Sequence, residues 1–177
     1  DGEALLALVK AAKYHGYERF EEDILKSAHS GYLNYIVGPR LRHKDPKSTK
    51  GYYQWSSMAF YEISQTEWKG SKKFAGYVID LADWMIDAHR TLKRTRNTAY
   101  AYEGIIHAYA LAKLKGDAFH TKKFACTIDQ GLEKLTTWQV GHSISNKIIK
   151  SHPTADRHAI GGIQNHKHRP GLRIDVT

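Results

Sequence analysis

Cysteine is nearly absent. Cys126 is the single one in 177 residues, so no intramolecular disulfide can form and a disulfide-built scaffold is excluded. Proline is scarce, at four, and the composition is that of a globular chain, not a collagenous or disordered one. No apolar run approaches the roughly 20 residues a membrane-spanning helix needs, and mean hydropathy is −0.56. Strand-like alternation is almost missing. The sequence contains no glycine-rich phosphate loop of the G-x-x-x-x-G-K type, no G-x-G-x-x-G after a strand and no G-x-S-x-G elbow. Zinc-finger, RRM and KH signatures are missing as well.

Acids are also in deficit. Eighteen Asp and Glu face 27 Lys and Arg, leaving a net charge of +9 with 11 histidines in reserve. That balance favours anionic partners: acidic polysaccharide, phosphate, nucleic acid or an anionic surface. The excess is clustered. Arg40, Arg42, Lys44, Lys47 and Lys50 form one group, and Arg90, Lys93, Arg94 and Arg96 a second. The third runs through Lys147, Lys150, Arg157, Lys167, Arg169 and Arg173. All three are expected between helices, either as solvated loop charge or as an anion-facing rim.

What the chain has is internal repetition. Glu3-Ala4-Leu5-Leu6 aligns with Glu103-Gly104-Ile105-Ile106, and the register holds to Gly16 and Gly116. Leu5, Leu6, Val9 and Ala12 then fall opposite Ile105, Ile106, Tyr109 and Ala112, one apolar helical face present twice. A middle copy places Gly70, Phe74, Val78 and Ala82 against Gly16, Phe20, Ile24 and Ala28. In the last copy a short insertion follows the glycine, and Phe124 and Ile128 take the places of Phe20 and Ile24. Each unit reads as helix, glycine turn, phenylalanine anchor, second helix, the glycine ending its helix in a left-handed conformation. Helices are expected near 3–15, 18–36, 52–66, 72–93, 98–115, 121–139 and 155–163. The fold class is therefore all-α, with antiparallel hairpins near 1–37, 52–93 and 98–140 and a basic segment over 141–177. Since one hairpin cannot bury its own apolar stripe, the copies should stack, as an open solenoid or a closed ring.

The pattern Gly2-Glu3-Ala4-Leu5-Leu6-Ala7-Leu8, a small turn, an aromatic and a second helix resembles the (α/α) toroid enzymes. Thr98-Ala99-Tyr100-Ala101-Tyr102-Glu103-Gly104 is similar to the start of an inner helix in that group, which includes six-hairpin glycosidases, toroid polysaccharide lyases and sugar epimerases. The resemblance covers most of residues 1–140. It implies that the first helix of each hairpin faces inward, that loops at one end form a substrate cleft, and that this single domain is part of a larger ring.

The segments at that end carry the candidate chemistry. Tyr52, Trp55, Asn97, Tyr100 and Arg169 are expected to bind substrate, aromatic faces stacking on sugar rings and cations pairing with carboxylates or sulfates. Tyr53, Glu103, His166, His168 and Arg173 are the expected catalytic set. Glu103 opens an inner helix beside Tyr100, but its echo at Glu3 equally suits a carboxylate serving the helix start. β-Elimination of a uronate, or its epimerisation, needs a cation or amide at the carboxylate and a Tyr or His to move the C5 proton. The run Gln164-Asn165-His166-Lys167-His168-Arg169, followed by Arg173, holds those residue types; it also reads as an exposed basic loop. Tyr102, Tyr109, Trp84 and Trp138 are expected in the core.

No cofactor and no metal site is expected. The spacing of His152, Asp156, His158, His166 and His168 matches no zinc signature, and Cys126 has no partner cysteine. Asp80, Asp83 and Asp87 form a helical stripe expected to pair with Lys or Arg on a neighbouring helix. The first expectation is thus a lyase, hydrolase or epimerase acting on an acidic polysaccharide. A non-catalytic helical-repeat module binding a polyanion or protein is the second, and a nucleic-acid binder using the same basic loops the third.

Overall fold

The computed structural model describes residues 1–96 and 98–167. Among these residues all regular structure is helical, in keeping with the all-α expectation. Isolated β-bridges pair Arg96 with His166 and Gln139 with Ile163. No helix among the described residues is long and apolar enough to cross a membrane.

The element α1 (Gly2–Tyr14) buries Leu5, Leu6, Val9 and Ala12 and packs on α4 (Lys47–Ser64). Helix α4 is central because it has two apolar faces. It buries Tyr52, Tyr53, Ala59, Phe60 and Ile63, and it touches α1, α5 (Phe74–Asp87) and α6 (Ala99–Leu114). Its buried Ser57 is satisfied locally, donating to Tyr53 O at 2.7 Å. Helix α7 (Ala118–Thr136) packs along α6, and Asp117 caps it by accepting from the His120 amide at 3.0 Å.

The helix expected over 18–36 is longer and not uniform. A 3-10 turn (Glu18–Phe20) leads into α2 (Glu21–Gly31), then a π-helical stretch (Tyr32–Val37), then α3 (Gly38–Arg42). Pro39 has no N–H for the carbonyl of Tyr35, one helical turn back. Thr49 supplies the missing donor, its hydroxyl reaching Tyr35 O at 2.7 Å. A proline inside the helix is thereby tolerated, and α3 is tied to the start of α4.

The repeat glycines Gly16, Gly70 and Gly116 all have positive φ, at 78°, 86° and 67°. The phenylalanines are less uniform. Phe74 and Phe124 are fully buried, whereas Phe20 is 39% exposed. Phe74 is covered by the rings of Phe60 and Tyr77, with centroids 5.4 and 5.2 Å away. Phe20 meets the Arg19 guanidinium at 4.8 Å, and no residue of its turn is buried. The aspartate stripe pairs with cations as expected. Arg40 grips Asp80 with both terminal nitrogens, at 2.5 and 3.1 Å, and Lys123 bridges Asp83 at 2.6 Å and Asp87 at 2.7 Å.

Two expectations are corrected near the basic clusters. Arg40, Arg42, Lys47 and Lys50 lie on α3 and α4 and not between helices. The helix expected over 155–163 is only a 3-10 turn, Arg157–Ala159, because Gly161 turns the chain at φ 89°. The chain beyond is stitched to the end of α7: Val140 N donates to Gly162 O at 2.8 Å and Gln164 N to Trp138 O at 3.0 Å. Lys167 N reaches Thr95 O at 2.7 Å. A short helix, α8 (Lys147–Ser151), capped by the Asn146 side chain, lies in the stretch between.

Candidate functional site

That stitched segment forms one wall of a cleft of ≈ 970 Å³. The opposite side is built from the first half of α4, which presents Lys47, Lys50, Gln54 and Trp55, and from the start of α6, which presents Thr98, Tyr100 and Glu103. Leu135 and Trp138 close the end nearest α7. Trp138 is braced from behind by Lys134, whose ammonium lies 5.1 Å from the ring centre and donates to Thr91 O at 2.9 Å. Burial, with Lys167 adding repulsion, lowers that ammonium's pKa to about 8.

Tyr100 links the cleft to a chain of hydrogen bonds behind it. Its hydroxyl is 3.1 Å from Nε2 of His89, and Nδ1 of His89 is 2.7 Å from Oδ1 of Asp45. The other oxygen of Asp45 pairs with the Arg94 guanidinium, whose Nε donates to His89 O at 2.8 Å. Each part is held by its own neighbours. Asp45 lies between α3 and α4, where Trp84 Nε1 donates to Lys44 O at 3.0 Å. His89 follows α5 and stacks on Trp84 with centroids 5.5 Å apart. Directly after it, Arg90 adopts a left-handed φ of 57°, a conformation that costs energy in a non-glycine residue and turns the chain sharply.

The charges of this chain follow from its geometry. Burial lowers the His89 pKa, outweighing the Asp45 carboxylate, while Arg94 and Lys50 push the same way as burial. The imidazole is therefore neutral at pH 7. An ionised Asp45 can only accept, so Nδ1 carries the proton and the Nε2 lone pair faces the Tyr100 O–H. Burial raises the Tyr100 pKa to about 12, with Arg94 opposing and Asp45 adding to the rise. At rest Tyr100 holds its proton, hydrogen-bonded to a ring that can accept it. Lys50 lies over the Tyr100 ring at 5.8 Å, bringing positive charge to the same spot. Glu103 is oriented by Gln54, whose Nε2 donates to Oε2 at 2.8 Å.

Of the residues expected to bind or react, Trp55, Tyr100 and Glu103 come together in the cleft. Tyr53 does not, which corrects its assignment as a proton-transfer group. It is fully buried, its hydroxyl donates to Ala101 O at 2.8 Å, and burial pushes its pKa well up. Its edge-on contact with Tyr100, 6.4 Å between centroids, makes it a support for that ring. Tyr52 is likewise corrected: it is buried, stacks on Tyr35 at 4.8 Å and is not part of the cleft wall. His166 is half-buried on the stitched segment, its backbone bridging to Arg96, and does not line the cleft. Asn97, His168, Arg169 and Arg173 lie outside the described residues.

Sequence reasoning missed His89, Asp45 and Gln54 as parts of the site. Asp45 and His89 stand 44 positions apart, and no short spacing announces such a pair. Among the described residues, no group of three His, Cys, Asp or Glu side chains is arranged to hold a metal ion. Comparison with protein-family models, curated proteins and solved structures finds no match, so the reading of this site rests on its geometry.

Proposed function

We propose that the chain is a carbohydrate-active domain of the (α/α) toroid type, contributing helical hairpins to a ring, and that it acts on a uronate-containing polysaccharide. The reaction is removal of the proton beside the sugar carboxylate, leading to elimination or epimerisation. The observation that carries this reading is the Asp45–His89–Tyr100 chain ending in a cleft that also presents Lys50 and an aromatic face at Trp55.

Tyr100 passes its proton to the neutral His89, and Asp45 stabilises the imidazolium that forms. The tyrosinate oxygen then takes the C5 proton. In elimination the freed electron pair forms the C4–C5 double bond, the C4–O bond breaks, and Tyr100 returns the proton to the departing oxygen. In epimerisation solvent water reprotonates the carbanion from the other face, and the hydroxide left behind takes the proton from the His89 imidazolium. Lys47 and Lys50 offset the charge that develops on the carboxylate. Hydrolysis is supported less well, because it requires two carboxylates across the bond. Among the described residues Glu103 is the acid that lines the cleft, and Gln54 already engages it.

The test is incubation with acidic and neutral polysaccharides. Ultraviolet absorbance from a new unsaturated uronate identifies elimination. Solvent deuterium at C5 without chain cleavage identifies epimerisation. New reducing ends without either would replace this reading with hydrolysis. Tight binding of acidic glycans with no chemistry on any of them would replace it with a polyanion-binding module.

A further inference from the structure

Thr98 holds the N-cap position of α6, yet its hydroxyl makes no capping hydrogen bond. A threonine there ordinarily accepts from an amide of the first turn. Its side chain is 2% exposed and its Oγ1 has no hydrogen-bond partner among the described residues. The first turn of α6 also contains no acidic residue. The positive end of this 16-residue helix is thus left without a carboxylate or a side-chain cap. On the stitched segment Gln164 is 5% exposed, and its Oε1 is also unpartnered among the described residues. Thr98 and Gln164 both line the cleft. Buried polar atoms without partners are uncommon and costly, and two lining one cleft call for a ligand.

We infer that the first turn of α6, at Thr98, Ala99 and Tyr100, forms with Lys50 the binding site for the carboxylate of an acidic sugar. Gln164 accepts from a neighbouring sugar hydroxyl. The inference rests on the proposed function and narrows it. A carboxylate held at this helix start lies beside Tyr100, so the proton within reach is the one on the adjacent carbon. Neutralising the carboxylate also makes that proton more acidic. Glu103, one turn further along α6 and held by Gln54, repels a second anion, so the carboxylate points to the helix start and the neutral part of the sugar runs past Glu103.

The experiment is an NMR titration of the ¹⁵N-labelled chain at constant ionic strength. The probes are a glucuronate trisaccharide, its uncharged methyl ester and inorganic sulfate. The amides of Ala99 and Tyr100 should move with the trisaccharide and with sulfate, and stay in place with the ester. Thr98→Asp places a carboxylate on the same amides. It should keep or raise Tm while weakening trisaccharide binding by at least about tenfold. A folded Thr98→Asp variant that binds as tightly as the native chain overturns the inference. If that variant loses stability, Lys50→Gln, at an exposed position, takes its place with an expected loss of about fivefold or more, and unchanged affinity overturns the inference equally. Trisaccharide binding that leaves Ala99 and Tyr100 unmoved keeps the glycan reading and overturns this site. Movement with sulfate alone keeps an anion site and overturns the glycan reading. Neither probe moving a cleft amide overturns both.

Discussion

Asp45 and Tyr100 face opposite edges of one imidazole: Oδ1 is 2.7 Å from Nδ1 of His89, and the Tyr100 hydroxyl is 3.1 Å from Nε2. The buried ring, 4% exposed, can therefore move charge between the cleft and a carboxylate outside it without itself meeting substrate. Tyr100→Phe tests the arrangement most directly. It removes the hydroxyl and keeps the ring that Lys50 and Tyr53 contact, so the fold should persist. A substrate found by the polysaccharide screen should lose about 10²- to 10⁴-fold in kcat. Asp45→Asn should cost less in rate and more in Tm, since Arg94 loses its partner with it. Equal activity of native and Tyr100→Phe chains would remove Tyr100 from the chemistry.

The same ring sets a pH dependence. In the proposed reaction His89 must be neutral to receive a proton, and its pKa lies below the ordinary 6.5. The acid limb of kcat/KM should therefore have its midpoint below pH 6.5. Since Asp45 raises the His89 value, Asp45→Asn should move that midpoint lower still. Stability follows the same direction. The unfolded chain binds the proton more readily, so the contribution is complete above pH 6.5 and falls as pH drops toward the folded value. His107, stacked on Tyr61 at 4.5 Å and lowered chiefly by burial against the opposing pull of Glu62 and Glu103, adds to the same trend. Tm measured from pH 8 down to pH 5 checks it.

His120 should act in the opposite sense. Burial lowers its pKa, but hydrogen bonds to Asp117 at 2.6 Å and Asp83 at 3.1 Å outweigh burial and leave it raised. Its stabilisation is present below pH 6.5 and lost as pH rises through the higher folded value. Lys123 shares Asp83 and stays charged across this window, its own pKa being raised by Asp83 and Asp87 against burial. The variant His120→Gln should lower Tm at pH 6 more than at pH 8.5. An equal loss at both would mean that the ring is held for its shape and not its charge.

The helical class was legible because it depends on local pattern. Leu5, Leu6, Val9 and Ala12 repeat at helical spacing and are buried together. The glycine turns at Gly16 and Gly116 were legible for the same reason, as was the pairing of the aspartate stripe. What the pattern could not carry was long-range. Tyr53 and Tyr100 look alike in sequence, each within two residues of another tyrosine near an expected helix start. Only packing decides that Tyr53 points into the core and Tyr100 into the cleft. Thr49 answering Pro39 through Tyr35 O is invisible for the same reason, as is the meeting of Asp45 with His89. Residues 155–163 misled through their loose helical period; Gly161 and pairing with 138–140 override it.

Close packing in the core gives the last prediction. A Cβ at Gly131 would lie 2.0 Å from Cε1 and 2.2 Å from Cζ of Tyr102, so α7 can approach α6 here only through glycine. Gly131→Ala should therefore destabilise the chain by roughly 3 kcal/mol or more, since ring and helix must both give way. Tyr102→Phe alone should cost little, because the buried hydroxyl has Thr91 near it but makes no well-formed hydrogen bond among the described residues. It should not rescue Gly131→Ala, because the ring carbons that clash remain. Tyr102→Leu should rescue it in part, making the double variant less destabilised than the sum of its single changes. Urea denaturation of the native chain, the three single variants and the two double variants measures the coupling. Simple additivity of Tyr102→Leu with Gly131→Ala would mean that the two residues do not touch in the folded protein.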